Sequence, residues 1–458
     1  MLGARFKTAR WVGAGLADQI VIAVANAGTT LLGVLLVHPR ARADDLLLAI
    51  AIGYAVIGLG RAFVGEVLLA VAAREGEERR RELVRHGLTA ALTIGAGAGL
   101  LLVGVWAVWP RGWRIDLSDL VYLAVFLPVL LMHDAARYTY LAERKPSSAL
   151  VINVAYASTQ FAAIGVLAAT GLVGGPTLIM AWGLGACAGV ALFCVRTRHV
   201  PWAGRPRVWF RQTRFLSGWF TATAVIAQAH GLATNFLMAG RLTPGALAGF
   251  KLAQTTMLQP VQNVNQALIS LLVPRMSRLS GAAVVPAQRT STENAAASED
   301  PSAAVAVADP SATLRRQVFR MSVAFSGLAV LMVAVGAPLG SFVLSHVHRF
   351  ADVAPLALPV LLQGAIYLVQ APFTAALRGM HRAKAHLVQY AIYASASVVG
   401  LIVGAEADGL TGAAWGLAVG AAIGLVASVA LYANALRHLG DADAETWVTE
   451  PEPATELV

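Results

Sequence analysis

Apolar runs long enough to cross a lipid bilayer recur along the whole chain, and no other feature constrains its fold so tightly. A membrane helix needs about 20 predominantly apolar residues. Twelve stretches meet that length, at 11–37, 46–72, 88–109, 118–141, 148–171, 176–197, 216–239, 245–273, 319–346, 353–374, 386–405 and 411–437. In hydrocarbon a backbone N–H or C=O has no water to bind, so each run must close its hydrogen bonds within a helix. The expected fold class is therefore an all-α polytopic membrane protein with about 12 transmembrane helices. Composition points the same way: 57% of the 458 residues are hydrophobic and 13% charged, against about 45–50% and about 25% in soluble domains. So few charges cannot cover a soluble surface of this size. That excludes a cytosolic enzyme, a disordered chain and a secreted disulfide scaffold.

The even number of spans puts both termini on one side, and the basic residues choose that side. Placing the termini and the even-numbered loops in the cytosol gives them and the adjoining span ends 27 of the 35 Lys and Arg residues, and gives the opposite side six. Lys and Arg concentrate in cytoplasmic loops of membrane proteins, so both termini are expected to be cytoplasmic in a cell inner or plasma membrane. The net charge of +10 then needs no nucleic-acid partner. Residues Met1–Arg10 are basic, but the apolar run behind them is too long for a signal-peptide core, so it is read as the first span. Cys187 and Cys194 lie inside an apolar run and are expected to be free thiols.

The chain repeats weakly. Thr30-Leu31-Leu32, Pro39 and Leu46 around the first turn are answered by Thr234-Asn235-Phe236, Pro244 and Phe250 about 204 residues later. Two six-helix halves with a substrate path between them are a recurrent transporter plan. The expected organisation is two pseudo-symmetric six-helix bundles. Their lobes span residues 1–205 and 206–440, with a disordered cytosolic loop at 281–312 in the second. A disordered acidic tail occupies 441–458. Both of these segments are too poor in bulky apolar residues to order themselves.

Ionisable groups at membrane depth are costly and face a cavity or a partner. Asp18 lies roughly 10 Å from the cytosolic end of the first span and Glu66 roughly 9 Å from that end of the second. Arg61 is nearer the midplane. It is about 140° around the helix from Glu66, so it must turn to another helix, to water or to a substrate. In the eighth span Lys251, Thr255, Gln259, Gln262 and Gln266 recur at helical spacing along one face, beside Asn263, Asn265 and Pro260. Such a stripe hydrogen-bonds neighbouring helices or lines water, and its length favours water. Gln363, Tyr367 and Gln370 repeat the pattern in the tenth span; Gln228, His230 and Asn235 stand in the seventh, and Asn26 in the first.

Each has a structural alternative. Isolated Gln and Asn join packed helices, and His230 fits such an interhelical bond. Lys251 can extend its ammonium toward the interface. Asp18 and Glu66 can pair with basic groups at the cytosolic rim. His133, Asp134 and Arg137 are expected to form a local network in the fourth span.

No phosphate-cradling glycine loop, nucleophile elbow or metal-ligand spacing occurs, so no catalytic residue, metal or cofactor is expected. Asp44 and Asp45, near the first outward loop, leave an integral-membrane glycosyltransferase as a minor alternative, although the outward loops are too short to hold an acceptor.

The chain resembles the polysaccharide and lipid-linked oligosaccharide flippases of the multidrug/oligosaccharidyl-lipid/polysaccharide (MOP) exporter superfamily. The resemblance rests on Ala17-Asp18-Gln19 with Asn26 in the first span and on Arg61-Ala62-Phe63-Val64-Gly65-Glu66 with Leu68-Leu69 in the second. Leu242-Thr243-Pro244-Gly245 adds to it, and Val67 stands where proline is expected. The resemblance implies two six-helix bundles opening alternately to each side, with spans one, two, seven and eight lining the path. It implies as cargo a polyprenyl-diphosphate-linked oligosaccharide, moved to the outer leaflet for cell-surface glycan assembly. Arg61 and Lys251 are then expected to attract the anionic headgroup, with Asn26, Gln259, Gln262, Gln266 and Gln363 bonding sugar hydroxyls. Asp18 and Glu66 are candidates for coupling to H+ or Na+. Membrane lipid and a glycan polymerase or glycosyltransferases are the expected partners. The rival reading is a cation-coupled multidrug exporter of the same superfamily, which Arg61 and Lys251 disfavour.

Overall fold

A computed structural model describes residues 2–72, 75–110, 112–265, 268–269, 272–273, 276, 310–380 and 382–438. Among the described residues the regular structure is helical. The helices are α1 (Leu2–Leu36), α2 (Arg40–Gly60, continuing through a π-helical turn at Arg61–Gly65 to Glu66–Val71), α3 (Glu77–Val108), α4 (Asp119–Ala142), α5 (Pro146–Thr170) and α6 (Gly175–Thr197). They continue with α7 (Pro206–Arg241), α8 (Ala246–Ala253, running into a π-helical turn at Gln254–Leu258), α9 (Pro310–His346) and α10 (Ala357–Gly379). The stretch Ala383–Arg437 is broken at Asp408 and Gly409, where the backbone leaves helical geometry; its two arms are α11 (383–407) and α12 (410–437).

Nine helical stretches among the described residues are long and apolar enough to cross a membrane. The stretch containing α11 and α12 is one of these and turns back on itself, while α7 and α8 occupy the remaining places in the twelve-helix plan. The chain is all-α, with two pseudo-symmetric bundles. Pro310, Ser311 and Ala312, assigned above to the loop 281–312, instead open α9. The remainder of that loop, the tail at 441–458 and Gln266 lie outside the described residues.

Helix ends follow local chemistry. Proline opens α5, α7 and α9, where its missing N–H costs nothing and its φ suits a helix. Gly171 closes α5 at φ +69°. Threonines inside the spans return their hydroxyls to the preceding turn: Thr29 donates to the Ala25 carbonyl at 2.8 Å and Thr139 to that of Ala135 at 3.0 Å. This leaves them satisfied without water.

Packing divides the chain into two compact units, 1–255 and 256–458. In the first, α3 lies along α4, α5 along α6, α1 along α5, and α2 against α7. Trp182, Tyr156, Phe193, Leu46 and Leu47 fill its interior. The connection from α6 to α7 is pinned to α3: Thr89 Oγ1 donates to the Pro201 carbonyl at 2.8 Å and accepts from Gly204 N at 2.9 Å, and His86 Nδ1 accepts from Arg205 N at 2.9 Å. In the second unit α9 packs along α10, and α10 on the α11–α12 pair. The facing arms α11 and α12 meet through Gly400, Gly404, Gly412 and Gly416, where an added Cβ would collide with the opposite backbone. Small residues allow this close approach in lipid, where burial of apolar side chains no longer drives association. Large apolar side chains such as Leu100, Val108, Phe319 and Val403 remain exposed, as expected of surfaces facing acyl chains.

Candidate functional site

The charged groups of the first unit converge on α4. Asp134 and Arg137 are one turn apart on that helix, but they do not form the local network expected from their spacing. The Arg61 guanidinium reaches Asp134 with two parallel bonds, Nε to Oδ2 at 3.1 Å and Nη2 to Oδ1 at 2.8 Å. Arg137 turns to α1 and donates from Nε to Asp18 Oδ2 at 2.9 Å. Asp18 Oδ1 also accepts from Asn153 Nδ2 on α5 at 2.6 Å. A charge in the apolar interior must be both paired and hydrogen-bonded to be tolerated, and Asp18 is both. The Tyr138 ring is near both guanidinium groups, 5.8 Å from that of Arg61 and 5.7 Å from that of Arg137. The ring face attracts both cations.

The two ion pairs differ in access. The side chains of Arg137 and Asp18 are 4% and 0% exposed, whereas those of Arg61 and Asp134 are 37% and 11% exposed. The backbone accounts for the second pair. Arg61 is the first residue of the π-helical turn in α2, and such a turn inserts a residue and re-aims the side chains around it. Gly65, in the same turn, lies against the Tyr138 ring, and Ser217 of α7 donates to the Phe63 carbonyl at 3.2 Å. That bond supplies a donor to a carbonyl in the irregular turn.

The remaining first-unit candidates are distributed around this hub. Glu66 closes the π-helical turn and is exposed; its N–H bonds the Arg61 carbonyl, so it sits one π-helical turn beyond Arg61 rather than about 140° around the helix from it. Asn26 is half-buried, and its backbone carbonyl accepts from the Tyr54 hydroxyl at 3.3 Å. One turn on, Thr29 accepts from Gln160. His133 stacks on Tyr156 with ring centroids 4.7 Å apart. Lys251, on α8, is half-buried and donates to Gln254 Oε1 at 3.1 Å, a neutral partner at the start of the second π-helical turn.

Other candidates fall in the second unit. Gln259 is half-buried and Gln262 exposed. Gln363 is buried on α10 and donates to the Tyr367 hydroxyl at 2.7 Å, which meets the Tyr393 hydroxyl at 2.5 Å. Gln370 donates to Ser428 Oγ at 2.9 Å. These bonds link α10 to α11 and α12.

The outward turns hold the aspartates behind the enzymatic alternative. Asp44 is buried; its Oδ2 accepts from Gly245 N at 2.6 Å and its Oδ1 from Ala248 N at 2.7 Å. It thus caps the N-terminus of α8, where free N–H groups favour an anion. Gly245 has φ +88° and lies against the Arg40 side chain. The two turns paired by the sequence repeat are therefore joined. Asp45 accepts from Asp116 N at 3.1 Å. Both carboxylates are engaged in holding loops. Among the described residues no group of three or more His, Cys, Asp and Glu side chains could hold a metal, and Cys187 and Cys194 are free and half-buried.

Reading the sequence one helix at a time missed Asp134 and Arg137 as partners of Arg61 and Asp18. The available signal was opposite charges three residues apart inside an apolar run, each able to reach a different neighbouring helix.

No protein-family model matches the sequence, and no curated protein does. Solved structures match over nearly the whole chain. An inward-facing multidrug resistance MATE family transporter of the MOP superfamily is 11% identical, with a TM-score of 0.68, covering 93% of this chain and 98% of its own. The lipid II flippase MurJ, in an inward closed conformation, is 11% identical with a TM-score of 0.61, covering 94% and 91%. A MOP superfamily transporter from Pyrococcus furiosus, described as having a binding pocket of reversed polarity, is 10% identical with a TM-score of 0.60, covering 93% and 96%. At these identities the likeness establishes architecture: the chain has the fold of the MOP-superfamily transporters.

Proposed function

We propose that this protein is a flippase that carries a polyprenyl-diphosphate-linked oligosaccharide, or a related polysaccharide precursor, from the cytosolic to the outer leaflet by alternating access. The observation that carries this reading is Arg61, a guanidinium roughly 15 Å inside the cytosolic end of α2 that keeps 37% of its side chain open. Arginine offers a planar fork of donors that matches phosphate oxygens. Lys251 adds a second cation, hydrogen-bonded to the neutral amide of Gln254. The likeness in fold to a lipid II flippase is consistent with a lipid-linked cargo. In this reading side-chain amides bond sugar hydroxyls, and the prenyl tail stays in lipid. The membrane is the cell inner or plasma membrane, with both termini cytoplasmic, and a polymerase or glycosyltransferases act on the same glycan.

Asp18 and Glu66 are the coupling carboxylates of this proposal, with H+ or Na+ as the ion. A coupling ion at Asp18 would have to compete with Arg137 and Asn153, while Glu66 is exposed. The rival multidrug reading rests on Asp18 in the first helix and on the multidrug transporters among the fold's neighbours. A cationic drug would meet Arg61 and Lys251, which weighs against it. The capping bonds of Asp44 weigh against a glycosyltransferase.

The test is depletion of the protein in its native cell, followed by mass analysis of polyprenyl-linked oligosaccharides and labelling with a membrane-impermeant glycan reagent. Accumulation of completed lipid-linked glycan that the reagent cannot reach is the expected result. An unchanged pool with increased sensitivity to cationic drugs would refute the proposal and favour the rival.

A further inference from the structure

The same unit contains two Arg–Asp pairs whose partners on α4 are one turn apart, and only one pair is open. Arg137 and Asp18 are sealed, with a third helix contributing Asn153. Arg61 and Asp134 are joined by a two-pronged bond, and the arginine side chain as a whole remains 37% exposed. A purely structural pair is expected to resemble the sealed one, because a carboxylate–guanidinium bond weakens as solvent reaches it. The carboxylate of Asp134 occupies the fork that would grip a phosphate, since both present two oxygens in a plane to the same two N–H groups.

We infer that Asp134 is the resting counter-ion of Arg61 and is displaced when an anionic diphosphate headgroup binds. This rests on the flippase reading and adds to it the residue that sets cargo affinity. Without cargo, Asp134 neutralises Arg61 and holds its guanidinium in the orientation set by the π-helical turn. With cargo, the diphosphate takes the fork. Several groups surround the displaced carboxylate. Arg137 is one turn along α4 but engaged by Asp18; the Tyr138 ring lies beside it; His133, its neighbour in sequence, is stacked on Tyr156. Glu66, exposed, is one π-helical turn from Arg61, its N–H bonded to the Arg61 carbonyl. Among the described residues Arg61 is the cation hydrogen-bonded to Asp134, so the return of Asp134 to Arg61 favours release of the headgroup. Asp134 thus acts as a positioning residue through Arg61.

The experiment measures binding of geranylgeranyl diphosphate to the purified full-length protein in detergent. Wild type, Asp134→Asn, Asp134→Glu and Arg61→Ala are compared, with melting temperature recorded for each. The expected result is about tenfold tighter binding by Asp134→Asn than by wild type, near-wild-type binding by Asp134→Glu, and loss of binding by Arg61→Ala. A structural role alone would not strengthen binding. Equal or weaker binding by a folded Asp134→Asn, with binding still dependent on Arg61, would overturn the inference and leave the flippase reading intact. Absence of diphosphate binding in wild type and Asp134→Asn alike would overturn both. Should Asp134→Asn not fold, the wild type carries the test through labelling of Asp134 by a water-soluble carbodiimide and an amine. Labelling should rise when the diphosphate is present, and unchanged labelling at saturating diphosphate would overturn the inference.

Discussion

Asp18 and Arg61 are both charged groups in apolar helices, yet they impose different demands on the protein. Asp18 is fully buried between Arg137 and Asn153. Removing one member of such a pair leaves an uncompensated charge, at a cost of about 3–5 kcal/mol. Asp18→Ala is therefore expected to lower the melting temperature in detergent sharply, and Asp18→Asn less so, because the amide still fits among the same partners. Arg61→Ala should behave differently. Its pair is partly open, so Arg61→Ala should lower the melting temperature less than Asp18→Ala does, although it leaves Asp134 without its partner, while transport of lipid-linked glycan should fall below a tenth of wild type at equal expression. Transport and melting temperature measured on both variants separate the two roles; equal loss of stability in both would contradict this division.

At the scale of helices, two contacts are open to direct test. The Asp44 carboxylate supplies two acceptors to the start of α8. Asp44→Ala should cost about 1–2 kcal/mol, as loss of a helix cap does, whereas Asp44→Asn should retain part of that because its carbonyl still accepts. Thermal unfolding of the two variants checks the order. The α11–α12 contact depends on glycine at 404 and 412, where either added Cβ meets the opposite backbone. Gly404→Val is expected to cost about 1–3 kcal/mol through overpacking, read as a lower melting temperature or as aggregation on size exclusion. The sequence alone predicted a turn between the spans at 386–405 and 411–437, and the structure places the break at Asp408 and Gly409. It did not reveal the π-helical turns at Arg61–Gly65 and Gln254–Leu258. Hydrophobic periodicity reports which face of a helix is apolar; in spans apolar on nearly every face, the offset of about 100° from one inserted residue leaves no visible mark.

For the molecule as a whole, orientation is the most exposed prediction. With Cys187 and Cys194 replaced by alanine, Leu172→Cys should react in intact cells with an impermeant maleimide. Ala203→Cys should react only after the cells are opened. Both sites are exposed, one on each expected side. The reverse pattern would invert the topology inferred from the 27 basic residues on the cytosolic side.

Sequence alone determined the number of crossings, the expected sidedness and the class of fold, because each depends on local quantities. Twenty apolar residues must form a helix in hydrocarbon, and the placement of Lys and Arg sets direction. The same local reading picked out Asp18, Arg61 and Lys251 as groups that needed an explanation. It could not assign their partners, because a charge on one helix is compensated by whichever helix packs beside it. Asp134 and Arg137 look like a local pair along α4, yet packing gives one to α2 and the other to α1. Only the tertiary structure decided that one ion pair is sealed and the other open. That difference in access comes from the surrounding helices, because the two pairs are made of the same residue types.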